Sequence, residues 1–178
     1  MEVISVRQKA DIIKGEYQFA DKVKSQVLSL LKVCSPIPQD NSNVKASIHT
    51  EWDWEPDNIT FRNLKAYIRE EIEKKYQPGA MSGGGRTMLK VGNFWANVYK
   101  KGDYAQPHDH KPNDFSFAYF VKAKWYHAPL VFTDSGKRIR PKEGTFLIFP
   151  SYLQHHVPRH RYNDTRITLS GNLLINRP

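Results

Sequence analysis

The chain has 178 residues, enough for one domain with a real core, and its 39% hydrophobic content leaves room for loops and exposed faces. Its formal charge is +9 with 27 Lys and Arg against 18 Asp and Glu. The basic residues are scattered among acids with no continuous run, so a nucleic-acid partner stays open but is not favoured. A single cysteine, Cys34, excludes an internal disulfide and any cysteine-rich zinc site. No segment approaches the apolar length of a membrane span or a signal-peptide core, so the expectation is a cytoplasmic protein with no membrane partner.

In chain order, Phe19, Val23, Val27, Leu30 and Leu31 recur at helical spacing and predict a helix between Glu16 and Val33, ending before Pro36 and Pro38. Trp52-Asp53-Trp54 reads as packing aromatics rather than a stacking surface. Phe61, Leu64, Ile68 and Ile72 form the apolar stripe of a second helix. Thr60 is its expected N-cap, Ile59 and Leu64 its hydrophobic staple, and Gln77-Pro78-Gly79 its stop. Ser82-Gly83-Gly84-Gly85-Arg86 lacks the Lys-Ser/Thr ending of a phosphate loop and reads as a flexible connection.

From Met88 onward, short apolar runs alternate with turn signals. Strands are predicted at 94–99, 105–110, 115–122, 130–133, 137–140, 145–149, 155–158 and 166–174. Strands at this spacing without intervening helices indicate an antiparallel jelly roll. The expected organisation is one domain over 1–178, mainly β with N-terminal helices: a helical part, 1–87, packed on a jelly-roll, cupin-like core, 88–178.

Candidate chemistry centres on His108-Asp109-His110 and the distant His155. Residues two apart on a strand share a face, so His108 and His110 can approach one ion while Asp109 turns away. Two or three imidazoles leave coordination positions open for substrate or water. His49, His127 and His160 are read as ordinary packing histidines, and His156 as pointing away from its neighbour's face. Arg166 and Thr168 share a face of the last strand, where a guanidinium and a hydroxyl can hold a carboxylate. The competing role for Arg166 is a surface ion pair with Asp164.

The run Trp95-Ala96-Asn97-Val98-Tyr99, with Gly102-Asp103-Tyr104, Pro107-His108-Asp109-His110, Phe149-Pro150-Ser151, His155 and Arg166-Ile167-Thr168, resembles the 2-oxoglutarate and Fe(II)-dependent oxygenases of bacteria and their phages. The resemblance covers about residues 88 to 176. It implies a double-stranded β-helix, Fe(II), and 2-oxoglutarate as cosubstrate, with O2 oxidising an unidentified primary substrate, a small molecule or a protein side chain. It also implies release of succinate and CO2. Carried over, His108 and His155 are the proximal and distal iron ligands, and Arg166 with Thr168 holds the distal carboxylate of 2-oxoglutarate. Asn97, Tyr99 and Tyr119 are further candidates to bond 2-oxoglutarate. The wider superfamily has His-x-Asp where this chain has His110. Either His110, ranked first, or Asp114 completes the metal set. The rival is a cupin-type metal site of His108, His110, Asp114 and His155 that does not use 2-oxoglutarate, and a jelly roll that binds without catalysis also stays open. So does a homodimer.

Overall fold

The structure is a computed structural model, and it describes residues 9–37, 42–55, 57–76 and 88–176. Two antiparallel sheets face one another. The larger runs β1 (Ile13–Glu16), β9 (Thr145–Pro150), β6 (Phe115–Lys122), β11 (Arg166–Asn176), β4 (Met88–Tyr99) and β3 (Ile48–His49). The smaller runs β2 (Val44–Lys45), β5 (Tyr104–His108), β10 (His155–Val157), β7 (Leu130–Phe132) and β8 (Lys137–Ile139). Strands distant in sequence become neighbours, as the jelly-roll expectation requires.

Both faces of the larger sheet are covered. On the outer face lie α1 (Ala20–Leu30) and α2 (Ile59–Tyr76), and Val23, Val27, Phe61, Leu64, Ile68 and Ile72 are buried there against Phe94, Phe117, Tyr119 and Phe146. The inner face packs a second core of Tyr99, Phe120, Leu147 and Phe149 against Ala105, Leu130, Phe132 and Val157 of the smaller sheet. The central strands therefore read as unbroken apolar runs rather than alternating ones. Gly171 leaves β11 no room for a side chain: a Cβ there would lie 2.5 Å from the Phe117 ring and 2.7 Å from the Asn93 carbonyl oxygen.

Several expectations shift. The first helix is shorter than predicted, because Ile13–Glu16 pairs with β9. The second helix begins two residues earlier than the Thr60 cap implied. Its cap is Asn58, whose Oδ1 accepts the N–H groups of Thr60 and Phe61 at 3.0 and 3.3 Å. Ile59 is 61% exposed, so the expected staple onto Leu64 does not form. The predicted helix stop at 77–79 and the 82–86 loop lie outside the described residues. No helix among the described residues is long and apolar enough to cross a membrane.

The β4–β5 turn is a junction. Asp103 Oδ2 accepts the Ser47 N–H, the Ser47 hydroxyl and the Lys100 N–H. The Asp103 carbonyl accepts the His160 N–H, and the His160 carbonyl accepts the Gly102 N–H.

Candidate metal centre and anion pocket

His155 and His108 are directly opposed on β10 and β5, and both side chains face the space between the sheets. His110 lies just beyond the end of β5, not within it as expected. It is nonetheless fixed, since its N–H bonds to the Ser151 carbonyl and its carbonyl accepts from Asn113 N and Nδ2. The ring centroids of 108–110, 108–155 and 110–155 are 5.0, 4.6 and 5.1 Å apart, and one ring nitrogen from each residue falls within 4.8 Å of the others.

The tautomers suit an ion. His108 Nδ1 lies 2.7 Å from the Gln106 carbonyl oxygen and His155 Nδ1 lies 2.9 Å from that of Leu153. A carbonyl only accepts, so each Nδ1 carries the proton and each Nε2 keeps its lone pair. Burial, then the charges of His155 and His108, pulls the His110 pKa down to about 3. Burial, then His108, pulls His155 to about 4. Burial also lowers His108. Neutral imidazoles are the form that ligates metal.

Asp114 does not join them, which corrects the expectation that it could complete the metal set. Its Oδ2 accepts the Ile175 N–H at 2.7 Å, while its backbone bonds to Leu173 and Ser151. It stitches the loop that presents His110, so the four-ligand cupin set is not assembled. The sequence spacing could not reveal this, because the deciding partner is 61 residues away.

Asn97, Tyr99, Arg166 and Thr168 line the same cavity as the histidines, with Trp95 and Ser170 completing two facing rows. The rows follow from register: Tyr99 opposes Arg166, Asn97 opposes Thr168 and Trp95 opposes Ser170 across β4 and β11. The cavity volume is about 40 Å³. Arg166 is 1% exposed, and its guanidinium lies over Tyr99 and Phe120, 4.9 and 5.4 Å from their ring centroids. Its Nε and Nη1 have no partner among the described residues, nor does Asn97 Oδ1. Burial lowers the Arg166 pKa, the Tyr99 phenol opposes that, and the group stays a cation. The surface pair with Asp164 is not made, since Asp164 is engaged by Lys124, Tyr126 and His127. An unpaired buried cation beside three neutral imidazoles fits a dianionic ligand that also meets a metal.

Tyr119 is a second correction. It is on the helix side of β6, edge-on to Tyr17 at 6.4 Å, and belongs to the outer core rather than the cavity. Its neighbour Phe120 faces inward. What sequence reasoning missed is an aromatic wall at the mouth. Trp95 lies 5.8 Å from the His110 ring, Trp52 4.7 Å from Trp95, and His49 stacks 6.4 Å from Trp95. Trp52 is 48% exposed, whereas Trp54 is buried against Phe61, so the packing expectation for the Trp52–Trp54 segment holds for Trp54 alone. The only trace in the sequence is His49 three residues before Trp52, and that spacing does not say what the two pack against.

Three histidines and a buried arginine thus share one cavity of a double-stranded β-helix, and the histidines could hold a metal ion. The model of one family, "Putative 2OG-Fe(II) oxygenase", matches residues 133–172, which include His155, Arg166 and Thr168. Among solved structures the chain is similar to the viral collagen prolyl hydroxylase vCPH of Paramecium Bursaria Chlorella virus-1 in its 2-oxoglutarate complex, at 14% identity and TM-score 0.68, covering 91% of this chain and 94% of that one. It is also similar to a prolyl hydroxylase of Trichoplax adhaerens in complex with a hypoxia inducible factor peptide fragment, at 14% identity and TM-score 0.66, covering 92% of this chain and 83% of that one. The α-ketoglutarate-dependent epimerase SnoN from nogalamycin biosynthesis gives 9% identity and TM-score 0.72, covering 92% and 76%. Comparison with curated proteins gives no match. The matched segment and the fold are those of 2-oxoglutarate and Fe(II)-dependent oxygenases.

Proposed function

We propose that this oxygenase hydroxylates a side chain of a peptide, with His108, His110 and His155 holding Fe(II) and Arg166 with Thr168 holding the far carboxylate of 2-oxoglutarate. The observation that carries the reading is the Arg166 guanidinium, buried with two nitrogens unpartnered in the cavity that the three histidines line. When bound, iron and 2-oxoglutarate supply the oxidising power for C–H hydroxylation by O2, the cosubstrate leaving as succinate and CO2.

The chain's own residues do the rest. Nδ1–H bonds to backbone carbonyls fix the His108 and His155 rings with Nε2 toward the centre. His110 in place of an acid leaves the ligand set neutral, so the metal keeps its full charge and, with Arg166, favours a dianion. Tyr99 and Phe120 shield the guanidinium from water, which strengthens its hold on a carboxylate. Trp52 and Trp95 give the mouth a flat apolar wall leading toward His110, suited to an extended chain laid across it. The likeness to two prolyl hydroxylases, one holding a peptide, supports a peptide over a free metabolite.

The test is an anaerobic titration of apoprotein with Fe(II) and then 2-oxoglutarate, following the visible charge-transfer absorption of the chelate, with Arg166→Ala alongside. A band that weakens in the variant supports the reading. Metal binding with no band on adding 2-oxoglutarate overturns it.

A further inference from the structure

Residues scattered in the sequence converge on a second cavity, of about 470 Å³, lined from the 126–129 connection, from Arg138 and Arg140, and from residues 158, 159, 161 and 162, with Trp125 beside it. Arg138, Arg140, Arg159 and Arg161 line it with Tyr126 and Tyr162, and no acid does. All four arginines are exposed, and among the described residues none has a carboxylate partner. Two are held ready. Arg140 donates to the Trp125 carbonyl at 3.2 Å over the Trp125 ring, and Arg159 donates to the Gly102 carbonyl at 2.8 Å over the Tyr104 ring.

The walls are tied together behind the groove. His127 Nδ1 accepts the Lys124 N–H, so its Nε2 carries the proton and lies 3.2 Å from Asp164 Oδ1. His160 Nε2 donates to the Asp164 carbonyl, and Tyr126 donates to Asp164 Oδ2 at 2.8 Å. That bonding makes the cluster a polar clasp rather than a cation site, because a metal on His127 Nε2 would need the proton that Nδ1 cannot take while it accepts from Lys124. The Asp164 charge is met by Lys124 at 2.9 Å, and Asp164 is not among the residues that line the groove.

The cavity lining gives phosphate-type recognition, since guanidinium forks match phosphate oxygens. Aromatic faces decide the partner. Trp125 is 71% and Tyr162 43% exposed, and the Tyr126 and Tyr162 rings are 4.5 Å apart. An acidic peptide leaves such faces without a role, whereas unpaired bases stack on them while arginines follow the backbone. We infer that this groove binds single-stranded nucleic acid, at a surface separate from the cavity holding His108, His110 and His155. The inference does not depend on the metal reading.

The experiment is fluorescence anisotropy of a labelled oligothymidylate of about 12 nucleotides, a length within one aromatic-groove site, with the full chain. Binding is expected to weaken with salt at a log–log slope of about −2 to −3, for three to four phosphate contacts. Arg138→Glu with Arg161→Glu should lower affinity by more than tenfold, and Trp125→Ala by about tenfold through lost stacking. Both variants change exposed residues, so thermal melting and the iron–2-oxoglutarate absorption should match the parent. A polyglutamate peptide of equal length that binds as tightly, with no Trp125 dependence, overturns the inference in favour of an acidic protein partner. No oligothymidylate binding at 50 mM salt, about the low end of the usual range, or binding indifferent to the arginine pair, also overturns it.

Discussion

Replacing Arg166 by Met separates a ligand-holding arginine from a structural one. In the protein alone the guanidinium is 1% exposed, with Nε and Nη1 unpartnered, and its favourable contacts are the Tyr99 and Phe120 faces. Substituting a buried charge by an apolar side chain of similar reach is neutral or stabilising, by about 1–4 kcal/mol. Loss of the two ring contacts takes back about 1–2 kcal/mol. The expected net change in the apoprotein is therefore a gain of about 1 kcal/mol, raising Tm by about 2–4 °C for a chain of this size. With 2-oxoglutarate and iron the order reverses. Removing one partner of a buried, hydrogen-bonded charge pair costs about 2–5 kcal/mol of binding, roughly a 30- to 5000-fold rise in Kd. At a hundredfold excess over the parent's Kd the ligand should stabilise the parent protein by about 2.7 kcal/mol and the variant by at most about 0.9 kcal/mol. The assay is thermal melting of both proteins, anaerobic, with and without Fe(II) and 2-oxoglutarate, beside direct Kd measurement. A variant that melts lower when ligand-free and keeps its 2-oxoglutarate affinity would refute the assignment.

His110→Asp should keep Fe(II) binding, whereas His108→Ala and His155→Ala should each weaken it by at least about tenfold, read by calorimetry on the apoprotein. Acid should destabilise the apoprotein through the same histidines. Their folded pKa values, about 3 for His110 and about 4 for His155, lie below the ordinary 6.5, so the unfolded chain takes up protons first as pH falls. Stability is full above about pH 6.5 and declines toward pH 4, by at most about 2 kcal/mol at pH 5 from each histidine. Urea midpoints at pH 7 and pH 5 check this, and a His110→Asn, His155→Asn variant should flatten the difference. Asn58→Ala should cost about 1 kcal/mol by removing the α2 cap, and Thr60→Ala much less, as measured by chemical denaturation.

Turn chemistry made the later strands legible. The runs at 115–122 and 145–149 are bounded by Lys-Pro-Asn, Pro-Lys-Glu-Gly and Pro-Ser signals, and their strands appear there with ends shifted by at most one residue. Strands β1, β2 and β3 were illegible because two to four residues carry no period. They extend only because β9, β5 and β4 offer them backbone partners. The misassignment of Tyr119 has the same root. Six consecutive residues of β6 are buried, so hydrophobicity cannot say which parity faces the cavity and which the helices. His108, His155 and Arg166 were legible because their chemistry is costly to bury without a purpose. Asp114 was not separable from a ligand, since a carboxylate bonding to backbone looks the same in sequence.

The junction at Asp103 has a consequence for how this end of the protein opens. One carboxylate and two neighbouring carbonyls bind the 42–47 segment, the β4–β5 turn and the residue at the head of the groove, His160, into a single hydrogen-bonded knot. Connections knotted in this way cannot open one at a time, so amide exchange along them should follow a shared rate set by the knot as a whole. The mouth beside Trp52 is outside it. Amides of that mouth should then exchange at their own rate, separate from that of the knot.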